Sequence, residues 1–118
     1  MQKKTSKRLK QVSSLMAQII SEIVQNELSD PRISGIVTIT GVHISADLKN
    51  AVVYFSTLGD SNTWNSIEKG LNKASGRIQQ LLSQKIVLKV TPKLRFLPDH
   101  TIETAQRIEQ ILDENISE

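Results

Sequence analysis

Cysteine is absent from this chain, which excludes a disulfide framework, a thiolate metal site and a cysteine nucleophile, and is compatible with a reducing compartment. Aromatic residues make up only 3% of it, as Tyr54, Phe55, Trp64 and Phe96, too few for a platform of stacked bases. Tyr54 and Phe55 are neighbours on an expected strand, so only one of them can face a ligand. No apolar run is long enough for a signal peptide or a membrane span, and the expectation is a cytoplasmic protein with no membrane partner. The glycines at 35, 41, 59, 70 and 76 are scattered and no Gly-Lys-Ser/Thr element occurs, which argues against a phosphate-binding loop and nucleotide hydrolysis. His43 and His100 are the only side chains expected to titrate near neutrality, and neither has metal-ligand spacing around it. The composition therefore implies no catalytic residue, no metal, no cofactor and no small-molecule substrate.

What is present is a chain of 118 residues, 38% hydrophobic and 23% charged, enough for one core and too short for two. A single domain over residues 1–118 is expected, with flexible ends at the basic segment 1–8 and the tail from about 113 to 118, and a monomer as the default. The net charge of +3 is modest, but its distribution is uneven. Lys3, Lys4, Lys7, Arg8 and Lys10 precede the first acid, Glu22; Lys69, Lys73, Arg77, Lys85, Lys89, Lys93 and Arg95 form an acid-free stretch after Glu68. The last twenty residues carry Asp99, Glu103, Glu109, Asp113, Glu114 and Glu118 against Arg107 alone. Segregation of this kind suits a polyanion on one surface.

From about Thr5 to Ser29, Leu9, Val12, Met16, Ile19, Ile20, Ile23 and Val24 recur three or four apart and predict a helix ended by Asp30-Pro31. Ile36–Ile44 and Ala51–Ser56 are rich in β-branched residues and read as a hairpin. Gly41 marks a bulge that shifts the inward face between Ile39 and Val42. Gly59 to Thr63 offers turn and cap groups before Trp64, Ile67, Leu71, Ile78 and Leu82, which predict a second helix to about Ser83. Gly76, in Ala74-Ser75-Gly76, costs about 1 kcal/mol relative to alanine inside a helix and invites a kink. Ile86–Val90 and Leu94–Leu97 read as one strand interrupted at Pro92. Past Asp99, Ile102, Ala105, Ile108, Ile111 and Leu112 predict a terminal helix. The order is α-β-β-α(kinked)-β with a C-terminal helix, an α+β class.

Lys69, Lys73 and Arg77 repeat along the second helix opposite part of its apolar stripe and form a ridge of cations beside the kink. A phosphate backbone fits such a ridge, because each neutralised phosphate releases counterions; an ordinary solvated helix face would carry the same charges. Asp30 and Asp47 flank turns and are expected to bond nearby backbone donors. A small nuclease built on Asp30, Asp47 and His43 is a third reading, behind an RNA-binding module and a protein-docking adaptor that uses the hairpin or the acidic last helix.

Several ordered segments together resemble the ribosome-binding factor A family of bacterial small-subunit assembly factors. They are the basic opening with its long helix, Asp30-Pro31-Arg32-Ile33, Val37-Thr38-Ile39-Thr40-Gly41-Val42, Ser45-Ala46-Asp47-Leu48 with Ala51, Val53 and Tyr54, Ala74-Ser75-Gly76, and Thr91-Pro92 through Leu94-Arg95-Phe96 to Asp99. The resemblance covers nearly the whole chain. It departs at Gln79, where the family often has arginine, and at Lys93, where it often has an acid. It implies a single-domain type II KH-like fold in which an Ala-x-Gly kink, here Ala74, Ser75 and Gly76, replaces the Gly-x-x-Gly loop of ordinary KH domains. It also implies binding to the free 30S ribosomal subunit and 16S rRNA, support for late rRNA processing and ribosome biogenesis, and a part in cold adaptation. The RNA-binding residues expected from charge and resemblance together are Lys3, Lys4, Lys7, Arg8, Lys10, Arg32, Lys69, Lys73, Arg77, Lys85 and Lys89.

Overall fold

The computed structural model describes residues 2–28, 33 and 37–101, with residues 2–6 as backbone only. Helix α1 spans Gln2–Asn26, strands β1 and β2 span Val37–Ile44 and Asn50–Thr57, helices α2 and α3 span Ser61–Lys73 and Ser75–Lys85, and strand β3 spans Lys93–Pro98. The expected order of elements is thus observed through β3, and the expected terminal helix from Ile102 onward lies outside the described residues, as does Asp30-Pro31.

The three strands form one sheet in the order β1-β2-β3, with β1 antiparallel and β3 parallel to β2. A parallel neighbour requires a crossover, and the α2–α3 pair provides it. The register of β1 against β2 slips between Ile39 and Gly41, so the bulge leaves Val37, Ile39, Val42 and Ile44 on one face. That is the inward shift expected at Gly41.

All three described helices cover this same face. Met16, Ile20 and Ile23 of α1, Trp64, Ile67 and Leu71 of α2, and Ile78 and Leu82 of α3 are buried in one cluster with Val53, Phe55, Leu94 and Phe96. Phe55, Phe96, Leu71 and Ile78 have no exposed surface at all. Trp64 and Phe96 therefore serve the core, while Tyr54 points to the other face of the sheet and is half-buried.

One expectation is sharpened and one corrected. The kink expected at Ala74-Ser75-Gly76 is present and divides the second helix into α2 and α3, with the break at Ala74 (φ −87°, ψ 0°) and Gly76 already the second residue of α3. One rung of each helix ends on the break residue: the Ala74 amide donates to the Gly70 carbonyl at 3.0 Å, and the Ala74 carbonyl accepts from the Ile78 amide at 2.9 Å. Residues Ile86–Val90 are not strand, since β3 begins only at Lys93. Pro92 is fully buried and lacks the amide that would extend the ladder backwards.

The edge of β3 that faces away from β2 is closed by a side chain. Asn72 on α2 accepts from the Phe96 amide at 2.8 Å and donates to the Phe96 carbonyl at 2.9 Å. This amide clamp fixes α2 on the sheet and, with it, the exposed face that carries Lys69 and Lys73.

Candidate nucleic-acid interface

α2 begins on a built cap. The Asp60 carboxylate accepts from the Thr63 amide at 3.0 Å and from its hydroxyl at 3.1 Å, and these bonds hold the Asp60 carboxyl below its ordinary value. Gly59, at φ +122°, precedes it, and a Cβ there would lie 2.9 Å from Thr63, so the turn requires glycine.

Lys69, Lys73 and Arg77 are all exposed, at four-residue spacing that runs through the Ala74 break. All three cations expected to form a ridge are thus open to solvent, two on α2 and one on α3. Ala74 supplies no side-chain cap to α3, which leaves the positive end of that helix next to Arg77 without a carboxylate or hydroxyl partner of its own. A Cβ built on Gly76 meets nothing within 4 Å. Internal packing therefore does not demand glycine at that position; its missing side chain leaves the backbone bare on the outside, beside two flanking cations.

The remaining expected contacts divide into groups. Lys7, Arg8 and Lys10 are exposed along the first turns of α1, and Lys89 is exposed in the segment between α3 and β3. Lys85 is engaged with Glu27 at 3.1 Å, an ion pair that joins the ends of α3 and α1 and is worth at most about 1 kcal/mol at such exposure. Arg32 and the side chains of Lys3 and Lys4 lie outside the described residues.

Of the residues weighed for catalysis, Asp30 lies outside the described residues and Asp47 is engaged in its own turn. The Asp47 carboxylate accepts from the Ser45 hydroxyl at 2.6 Å and the Lys49 amide at 3.0 Å, bonds that keep its carboxyl below the ordinary range. The turn it braces holds Leu48 at φ +62°. His43 is exposed on β1. His100 lies against Trp64, with ring centroids 4.3 Å apart. Asp99 is lowered by hydrogen bonds from Thr101 and then Thr40, whose hydroxyl donates to it at 2.6 Å. Among the described residues no group of three histidine or acidic side chains converges on a metal position, and no helix is long and apolar enough to cross a membrane.

Sequence reasoning missed Asn72. Its signal in sequence was weak: asparagine is a poor residue for a helix interior. Its partner, the backbone of Phe96, was not legible.

The profile of the ribosome-binding factor A family matches residues 8–112. The chain is 41% identical over 108 residues to the ribosome-binding factor A of Coxiella burnetii strain RSA 493, covering 92% of this chain and 89% of that one. It is 40% identical over 107 residues to that of Rubrobacter xylanophilus, covering 91% and 86%. The crystal structure of ribosome-binding factor A from Thermus thermophilus superposes with a TM-score of 0.66 at 24% identity, over 75% of this chain and 92% of that one. A homology model of the Thermus thermophilus factor, fitted into a cryo-EM map of its complex with 30S, gives a TM-score of 0.60 at 24% identity, over 74% and 90%. With the Ala-x-Gly break, the parallel β3 and the family profile extending over most of its length, the chain belongs to the ribosome-binding factor A family.

Proposed function

We propose that this chain is a non-catalytic ribosome assembly factor that binds the free 30S subunit through 16S rRNA and assists late rRNA processing and maturation in the cytoplasm, acting as a monomer. The observation that carries the reading is the exposed row Lys69, Lys73 and Arg77 beside the bare backbone of Gly76 at the α2–α3 break. A helix start flanked by cations accepts phosphate oxygens without reading base identity. Membership of the family and the placement of a Thermus relative in a 30S complex support the same partner. Lys7, Arg8, Lys10 and Lys89 extend the cationic surface, and Lys85 joins it when it leaves Glu27.

An assembly factor must release the mature particle, so its affinity has to differ between immature and mature rRNA conformations. Co-sedimentation with purified free 30S subunits and with joined ribosomes tests this. Binding to free subunits that weakens as salt rises, with little binding to joined ribosomes, is the expected result. Equal binding to both particles would sink the maturation mechanism. Binding indifferent to salt would move the contact from rRNA to a ribosomal protein.

A further inference from the structure

We propose that the face of the sheet left uncovered by the described helices is a second RNA surface, on which a single-stranded nucleotide stacks its base on Tyr54 and sets its phosphate against Arg95 and Lys93. The three described helices pack on one side of the sheet, and none of the buried core residues lies on the other. On that other side the register places Tyr54 between Gly41 of β1 and Leu97 of β3, and Val52 beside Arg95, with Lys93 following at the start of β3.

An aromatic opposite a strand glycine has an ordinary structural use, which is to lie over the glycine and cover it. That is not the arrangement here. A Cβ built on Gly41 meets nothing within 4 Å, so the Tyr54 ring does not lie against that position and room remains beside it among the described residues. Lys93 and Arg95 are exposed on this face, and the acid at its edge, Asp99, has its carboxylate taken by the Thr40 hydroxyl at 2.6 Å, so the net charge of the described face is positive and complements a polyanion.

A protein strand is the weaker occupant. Strand addition uses an edge of the sheet and not the face that carries Tyr54, and at the β3 edge next to Arg95 the Phe96 amide and carbonyl are already taken by Asn72. A base needs only a π-face and room beside it, with a cation within a phosphate's reach, and Tyr54, Gly41 and Arg95 provide these.

The inference rests on the RNA-binding reading, and the test separates the two. A single-stranded uridine hexanucleotide is titrated into the isotopically labelled full-length protein, and amide and tyrosine ring resonances are followed. Shifts at Tyr54, Gly41 and Arg95 are expected. Tyr54→Phe should bind as the native chain does and Tyr54→Ser about tenfold more weakly, since the serine offers no ring for a base to stack on; the native resonances carry the test if Tyr54→Ser unfolds. The Lys69→Gln, Lys73→Gln, Arg77→Gln variant should keep the sheet-face shifts. Shifts confined to Ala74–Arg77 would overturn the sheet-face site and leave the helix reading intact. Nuclear Overhauser contacts from the Tyr54 ring to residues 102–118 in the free protein would show the face covered by the chain's own end and would also overturn it. Binding of neither this RNA nor 30S subunits would remove both readings.

Discussion

Replacing Asn72 with alanine should destabilise the protein more than any exposed helix substitution. The native amide makes two hydrogen bonds of 2.8 and 2.9 Å to the backbone of Phe96, a residue with no exposed surface. Alanine strands both the Phe96 amide and its carbonyl. A buried group left without its partner costs about 1–3 kcal/mol, and partial access of water at this strand edge places the pair together at about 2–3 kcal/mol. For a domain of this size 1 kcal/mol corresponds to roughly 4 °C, so the melting temperature should fall by about 8–12 °C in calorimetry or circular dichroism. Asn72→Asp makes the reasoning sharper. Its carboxylate still accepts from the Phe96 amide but opposes the Phe96 carbonyl, so at neutral pH it should be at least as damaging as alanine. Protonation restores a donor, and the gap between Asp and Asn should narrow as pH falls. A melting temperature for Asn72→Ala within about 2 °C of the native chain, half a kcal/mol on the same scale, would refute the clamp.

Other expectations follow from single residues. Gly59→Ala places a methyl group 2.9 Å from Thr63 at φ +122° and should cost about 1–3 kcal/mol in chemical denaturation. Leu48, at φ +62° and 43% exposed, pays the left-handed penalty of a branched side chain, so Leu48→Asn should raise stability by about 0.5–1 kcal/mol, less if the half-buried face of the leucine contributes. Asp47, Asp60 and Asp99 all have lowered carboxyl values. Their bonds therefore contribute above the ordinary aspartate range and are lost as pH falls through the lowered values, so thermal stability should decline below about pH 4. Asp60→Asn, which retains an acceptor without titrating, should flatten part of that decline.

Much of the fold was legible because its signals are local. The α1 stripe from Leu9 to Val24 has the helical period, and the bulge at Gly41 is a loss of strand alternation that sequence displays directly. The break between α2 and α3 was legible in place but not in cause. Glycine propensity pointed to Gly76, whereas the geometry rests on Ala74, and the glycine instead leaves the surface bare. Ile86–Val90 was misread because β-branched composition says nothing about whether a neighbouring strand is present to pair with. The row Lys69, Lys73 and Arg77 could be found from four-residue spacing alone. The open sheet face could not, since it depends on which side of the sheet three separate helices choose.

The most direct test of the central claim is the salt dependence of affinity for free 30S subunits, measured for the native chain and for the Lys69→Gln, Lys73→Gln, Arg77→Gln variant. If these three cations meet phosphates, the slope of log affinity against log salt should become shallower by roughly 2–3, close to one unit for each contact removed. An unchanged slope, with affinity intact, would contradict the account and place the ribosomal contact away from the α2–α3 break.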